Sequence, residues 1–250
     1  MSQSQPMPTP GSGASGAPEV RTVAAGQGWT WVVAGFEMFK KQAGLWVAIG
    51  LLLFVILFVL AVIPILGSIA TVLLMPVFAG GLMLACRSQA QGGPLEIAQL
   101  FAGFKHRTSE LLIVGALGFA ATIVVMVPVL LITGGGAFLG ASRGDAAGVA
   151  MIGGTFLLGL LVALALSIPL YMALWFAPAL VALRGVAPVE ALKLSFKACL
   201  QNFVPFLVYG VVLLVLGIVA TVPLGLGWLV LGPVTIASIY VSYREIYGEN

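Results

Sequence analysis

Glu96, Glu110, Glu190 and His106 are the side chains best placed for proton-transfer chemistry. A carboxylate within reach of an imidazole is the usual equipment of general acid–base catalysis. Here the carboxylates stand near helix starts and beside lysines, where the helix dipole favours a carboxylate that does no chemistry. His106 sits between Lys105 and Arg107 and reads as a polar member of a basic edge. One histidine and two cysteines supply no zinc set. The chain has no Gly-x-Ser-x-Gly and no His-Glu-x-x-His. The expectation is a protein with no catalytic residue, no metal and no cofactor. An enzyme at the cytoplasmic face, with Glu96 or Glu190 meeting His106, is the third-ranked function class.

Two other sets of residues point to binding. Lys40, Lys41, Lys105, Arg107, Lys193 and Lys197 fall on short amphipathic segments, where each cation contributes about 1 kcal/mol toward an anionic headgroup. Orientation in the membrane demands much the same residues. Thr71, Tyr171 and Thr235 are candidates to line an uncharged cavity, although such hydroxyls more often join helices to one another. No apolar stretch carries a charged residue at its centre, which counts against a proton-coupled pump.

The elements that must position these residues follow from composition. The chain is 61% hydrophobic and 8% charged, with a mean hydropathy of +1.16. A soluble domain carries about 25% charged residues, so lipid is the expected solvent. Residues 1–26, rich in Ser, Gly and Pro, are expected to be a disordered cytoplasmic tail. From Trp29 a pattern begins that recurs. A short amphipathic segment, with Trp29, Val32, Phe36 and Phe39 on one helical face, leads into an apolar span, Leu45 to Leu66. A turn at Pro64 and Gly67 returns the chain through a second span, Ser68 to Cys86, closed by Arg87. The next segment starts at Pro94 and repeats the spacing with Ile97, Phe101 and Phe104. A third span, Leu111 to Thr133, follows. Gly134 to Gly148 reads as a loop, and Met151 to Leu183 as one long fourth helix bent at Pro169 and Pro178. The last amphipathic segment, from Pro188, precedes spans at Phe203 to Val222 and Trp228 to Tyr243.

The expected fold is therefore an all-α membrane protein of six transmembrane helices. These form three parallel repeats, 27–88, 89–185 and 186–250, each a cytoplasmic interfacial helix plus a helical hairpin. Phe39-Lys40, Phe104-Lys105 and Phe196-Lys197 open the units, and Arg87, Arg184 and Arg244 close them. Phe39 to Arg87 and Phe196 to Arg244 are both 48 positions apart. Each unit crosses twice, so the repeats share one orientation. With both termini cytoplasmic, Arg143 is the one cation on the outer side, a strong positive-inside bias. Cys86 and Cys199 then lie near the reducing face and are expected as free thiols.

Gly28-Trp29-x-Trp31, Gly35-Phe36-x-x-Phe39-Lys40 and the run Pro76-Val77-Phe78-x-Gly80-Gly81-Leu82-Met83-Leu84-Ala85-Cys86-Arg87 resemble an uncharacterised proteobacterial family. It consists of multi-pass inner-membrane proteins of Burkholderia-type bacteria. More loosely, the interfacial helix plus hairpin is similar to the membrane domain of glycerophosphodiester phosphodiesterases, whose catalytic domain is missing from this chain. The resemblance implies the bacterial inner membrane and no known reaction. The expected function is a non-enzymatic envelope component that binds lipid, with anionic lipid among the candidates, or a membrane-protein partner, and no nucleic acid. A facilitative transporter or channel for a small uncharged solute is the second-ranked class.

Overall fold

Residues 18–249 are described by a computed structural model. They are helical nearly throughout, with no strand among the described residues. The helices are α1 (Gln27–Lys41), α2 (Ala43–Val62), α3 (Leu66–Ala90), α4 (Thr108–Arg143), α5 (Ala146–Trp175), α6 (Ala177–Arg184), α7 (Pro188–Gln201), α8 (Phe203–Thr221) and α9 (Trp228–Tyr247). A 3-10 helix, Ile97–Phe104, lies between α3 and α4. Five segments are long and apolar enough to cross a membrane: Ala43–Val62, Leu66–Ala90, Thr108–Arg143, Ala146–Arg184 and Phe203–Thr221. α9 is the right length but is diluted by Ser, Thr, Tyr and the Arg244-Glu245 pair, and it falls outside that set.

The short amphipathic segments form three elbows, and each packs on a helix of another part of the chain. α1 lies against α9, so closely that a Cβ on Gly35 would stand 2.8 Å from Val234 O. The 3-10 helix lies against α3, where a Cβ on Gly103 would collide with Val77 O. α7 lies against α5 and α6, with Ser195 buried at their junction. Close approach of this kind is what small residues permit between membrane helices.

Three side chains latch the segments that lead into the elbows. Gln42 Oε1 accepts from Leu95 N at 2.8 Å, just before the 3-10 helix. The Arg107 guanidinium lies where a Cβ on Gly185 would be, just before α7. Asn202, fully buried, accepts from Val23 N at 2.9 Å and donates to Arg21 O at 3.0 Å, just before α1. The C-terminal halves of α3 and α9, together with α6, meet inside this ring and form the core. Phe176, Leu180, Val77, Cys86, Ala237 and Tyr243 are all fully buried there. Arg87 donates to Leu183 O and Arg184 to Tyr247 O, at 3.1 and 2.7 Å, which ties the C-terminal ends of α3, α6 and α9 together.

Several expectations change. The supposed loop Gly134 to Gly148 is mostly helix: α4 runs on to Arg143, and only Gly144 (φ +66°) and Asp145 turn the chain. Asp145 caps α5 by accepting from Gly148 N at 2.7 Å. Of the glycines read as loop, Gly136, Gly140 and Gly148 instead sit in the α4–α5 interface. A Cβ on Gly136 would collide with Thr155, and one on Gly140 would stand 2.5 Å from Gly148 O. The 36 residues of α4 span roughly 54 Å at 1.5 Å each. That is far beyond a hydrocarbon core of about 30 Å, so this hairpin tilts, projects or does both.

The long fourth helix is broken at Phe176 into α5 and α6. Pro178 has no N–H to give Leu174 O, while Pro169 is carried inside α5. The second elbow is 3-10 rather than α-helical, entered through a reciprocal cap between Glu96 and Gln99. Of the stretch taken as a tail, residues 1–17 lie outside the described residues. Residues 18–26 run in extended and turn conformation along α9, with Arg21 N donating to Ile246 O at 2.8 Å and Val20 and Val23 packed on the core.

Candidate functional site

Near the break at Phe176, clefts open on both sides of α5. The first, about 510 Å³, lies between α3, α4 and α5. Its lining is apolar, with hydroxyls from Thr71, Thr122, Ser167 and Tyr171 and no ionisable side chain except the Tyr171 phenol. Thr71 and Thr122 donate to Gly67 O and Gly118 O of their own helices, both at 2.8 Å, so they offer the cleft only lone pairs. Gly115 and Gly118 make the cleft possible. α4 presses on Leu73 at Gly115, and Leu174 covers Gly118, leaving the space above them open.

The second cleft, about 360 Å³, lies between α5, α7 and α8 and reaches Cys199 on α7 and Phe203 at the start of α8. Tyr171 and Trp175, one helical turn apart on α5, line both clefts. Trp175 stacks edge-on against Phe206 and Tyr209, each 6.1 Å away, and its buried Nε1 has no acceptor among the described residues. Below this ridge the molecule is solid. Phe176 packs on Phe206, Tyr243 and Tyr247 at 5.7 to 6.3 Å, and Trp31 packs on Phe206 and Tyr209.

Thr71 and Tyr171 both line the first cleft, but Thr235 does not. Its hydroxyl donates to Leu231 O at 2.8 Å, and it lines neither cleft. The six basic residues lie on the elbows and the loop after the second one. Lys40 pairs with Glu37 at 2.8 Å and sits over the Phe36 ring, Lys193 pairs with Glu190 at 3.8 Å, and Arg107 pairs with Glu110 at 3.4 Å. Glu96 is engaged in the cap described above. Neither these carboxylates nor His106 lines a membrane cleft. A third, polar cleft of about 330 Å³ lies at the C-terminal end of α9 between Arg21, Arg244, Glu245 and Glu249.

Sequence reasoning missed Ser195, Gln89 and Asn202, the polar residues that hold the clefts' walls. Gln89 accepts from Trp46 Nε1 and donates to Met38 O, both at 3.2 Å, joining α1, α2 and α3. The one available signal was their company: uncharged polar residues within otherwise apolar faces of amphipathic segments.

Cys199, on α7 at the wall of the second cleft, is a free thiol, as is Cys86. Burial pushes the Cys199 thiol up to about 12, because desolvation penalises the thiolate. A rise of that size leaves on the order of a thousandfold less thiolate near neutral pH than a free cysteine has. In the folded protein at pH 8, Cys199 should stay unmodified by maleimide over hours and react within minutes after unfolding. Peptide mass spectrometry of the alkylated chain reads this directly. Rapid labelling in the native state would show that the second cleft admits water.

Residues 106–243 match the domain of unknown function DUF7847, and the chain belongs to that family. The chain is also similar to a probable inner membrane protein of Burkholderia thailandensis. The two are 29% identical over 90% of this chain and 93% of the relative. No solved structure matches. The looser likeness to the phosphodiesterase membrane domain finds no support in either match.

Proposed function

We propose that this is a bacterial inner-membrane protein that binds lipid and catalyses no reaction. In this reading it has six spans in three parallel units, with both termini cytoplasmic. The observation that carries the reading is the apolar cleft of about 510 Å³ between α3, α4 and α5. It has no charged lining residue, and its walls are apolar apart from a few hydroxyls. A lipid chain fits such a space. The inner-membrane relative supports the location.

The three-unit reading draws support from the ring of elbows, each lying on the second helix of the unit before it, and from the latches Gln42, Arg107 and Asn202 at corresponding junctions. The outer turns of the first and third units agree too. In each, the residue after proline has a positive φ, 62° at Ile65 and 53° at Leu224. Both termini are cytoplasmic in this reading because Lys40, Lys105, Arg107, Lys193 and Lys197 then face the inside.

The test is native mass spectrometry of the full chain extracted in mild detergent and exchanged into a second detergent. Lipid should survive the exchange at about one molecule per chain. With Lys40, Lys41, Lys105, Arg107, Lys193 and Lys197 all changed to Gln, the preference for anionic over zwitterionic lipid should fall severalfold while some lipid remains. Absence of any retained lipid in the wild type would overturn the reading. A stoichiometric protein partner in its place would support assembly.

A further inference from the structure

Resting on the lipid-binding reading, we infer that the two clefts flanking α5 form one site. Its ligand is a single-chain lipid longer than a phospholipid acyl chain, lying across the bilayer midplane past Tyr171 and Trp175. Three observations on different elements converge on this.

The first is depth. Thr71, at the outer end of the first cleft, is five residues into α3, roughly 7 Å below the outer turn. Cys199 and Phe203, at the far end of the second cleft, stand at the cytoplasmic elbow and the start of α8. The path between them passes from one half of the membrane into the other, whereas a phospholipid chain stays within its own leaflet.

The second is capacity. At roughly 30 Å³ per water-sized group, a volume of 510 Å³ holds roughly 17 methylene-sized units and 360 Å³ roughly 12 more. The first cleft alone matches an ordinary acyl chain, and the pair matches a chain nearly twice as long.

The third is continuity. Ser167, Tyr171, Leu174 and Trp175 face the first cleft, and Ile168, Tyr171, Met172 and Trp175 face the second. The Tyr171–Trp175 ridge is therefore common to both and offers two aromatic surfaces at the crossing point. With no charge in either lining, the part of the ligand held inside must be uncharged hydrocarbon, and any headgroup must sit at an end.

Gly210 provides the discriminating variant. It lines the second cleft, and a Cβ there would meet nothing within 4 Å. Gly210→Leu therefore puts a side chain into the second cleft with no clash at its Cβ, and it also improves helix propensity in α8. The probes are hexadecanol, triacontanol and an isoprenoid alcohol of triacontanol's length. Binding of each is measured on the detergent-solubilised full chain by competition with a fluorescent fatty alcohol. Wild type should bind the long alcohols at least tenfold more tightly than hexadecanol. In Gly210→Leu that advantage should vanish while hexadecanol binding stays unchanged. Preference between the straight and the branched long chain identifies which kind of long-chain lipid the site takes. Equal binding of all lengths by the wild type, or an equal loss for all lengths in Gly210→Leu, would overturn the single-site inference and leave the lipid-binding reading intact. Failure of every alcohol, together with absence of retained lipid, would overturn both.

Discussion

Asn202→Ala should destabilise the protein by about 3 kcal/mol and release the segment ahead of α1. Asn202 is fully buried at the junction of α7 and α8 and uses both ends of its amide. Oδ1 accepts from Val23 N at 2.9 Å, and Nδ2 donates to Arg21 O and Ala198 O, both at 3.0 Å. Alanine removes these bonds and leaves an N–H and a C=O of the leading segment without partners beside the core. An unsatisfied buried group costs about 1–3 kcal/mol. Water can reach part of this segment, which is why the lower half of the summed range is expected. The measurement is thermal unfolding in detergent, paired with limited proteolysis. Asn202→Ala should lower the midpoint and expose a cleavage site between residues 18 and 26. Deleting residues 1–17 should change neither quantity. A variant that melts earlier without the new cleavage site would mean that the amide only supports the α7–α8 corner.

That latch also shows what was legible in the sequence. The elbows, the hairpins and the closing arginines carry strong local signals: aromatic spacing, uninterrupted apolar length and isolated cations. Those signals depend on each helix meeting lipid, and they sufficed for the all-helical membrane architecture. The failures came where a helix meets another helix. Gly134, Gly135, Gly136 and Gly140 carry the composition of a loop, because the same lack of a side chain that loosens a loop allows close helix contact. In the α4–α5 hairpin, Gly136 and Gly140 serve the second purpose. Gly144 followed by Asp145 was the real turn, a left-handed helix end followed by an N-cap. Thr235 was grouped with Thr71 by residue type, although only the partner helices decide which hydroxyls share a cavity.

The cleft residues were partly legible for a further reason. A membrane protein cannot leave an ionisable group at mid-depth without cost, so an uncharged cavity is written only in small residues and hydroxyls. Such residues are common in all six apolar stretches. What separates Gly115 and Gly118 from the others is which side chains they meet, Leu73 of α3 and Leu174 of α5, and only the packing of α3, α4 and α5 decides that.

The break is maintained by Ser195, and its loss is the second large effect expected. In an unbroken helix Phe176 N would donate to Met172 O. Here Ser195 Oγ, reaching from α7, stands between them: it accepts from Phe176 N at 2.9 Å and donates to Met172 O at 2.7 Å. A hydroxyl inserted into the helical ladder is a recognised cause of a kink, and Pro178 next to it prevents simple repair. Ser195→Ala leaves the buried Phe176 N without a partner and leaves Met172 O only the Cys199 thiol at 3.5 Å, at a cost of about 2 kcal/mol, unless α5 and α6 shift to pair the two backbone groups directly.

The two outcomes can be separated. A rigid break predicts a lower unfolding midpoint with the clefts unchanged. Straightening predicts a smaller loss of stability, a narrower space at the Tyr171–Trp175 ridge and weaker retention of lipid. Ser195→Thr keeps the hydroxyl, so it should restore whichever property the alanine variant lost, provided the added methyl is accommodated. If Ser195→Ala altered neither stability nor lipid retention, α7 would have no part in shaping the clefts, and the open space beside α5 would have to be ascribed to Pro169 and Pro178 alone.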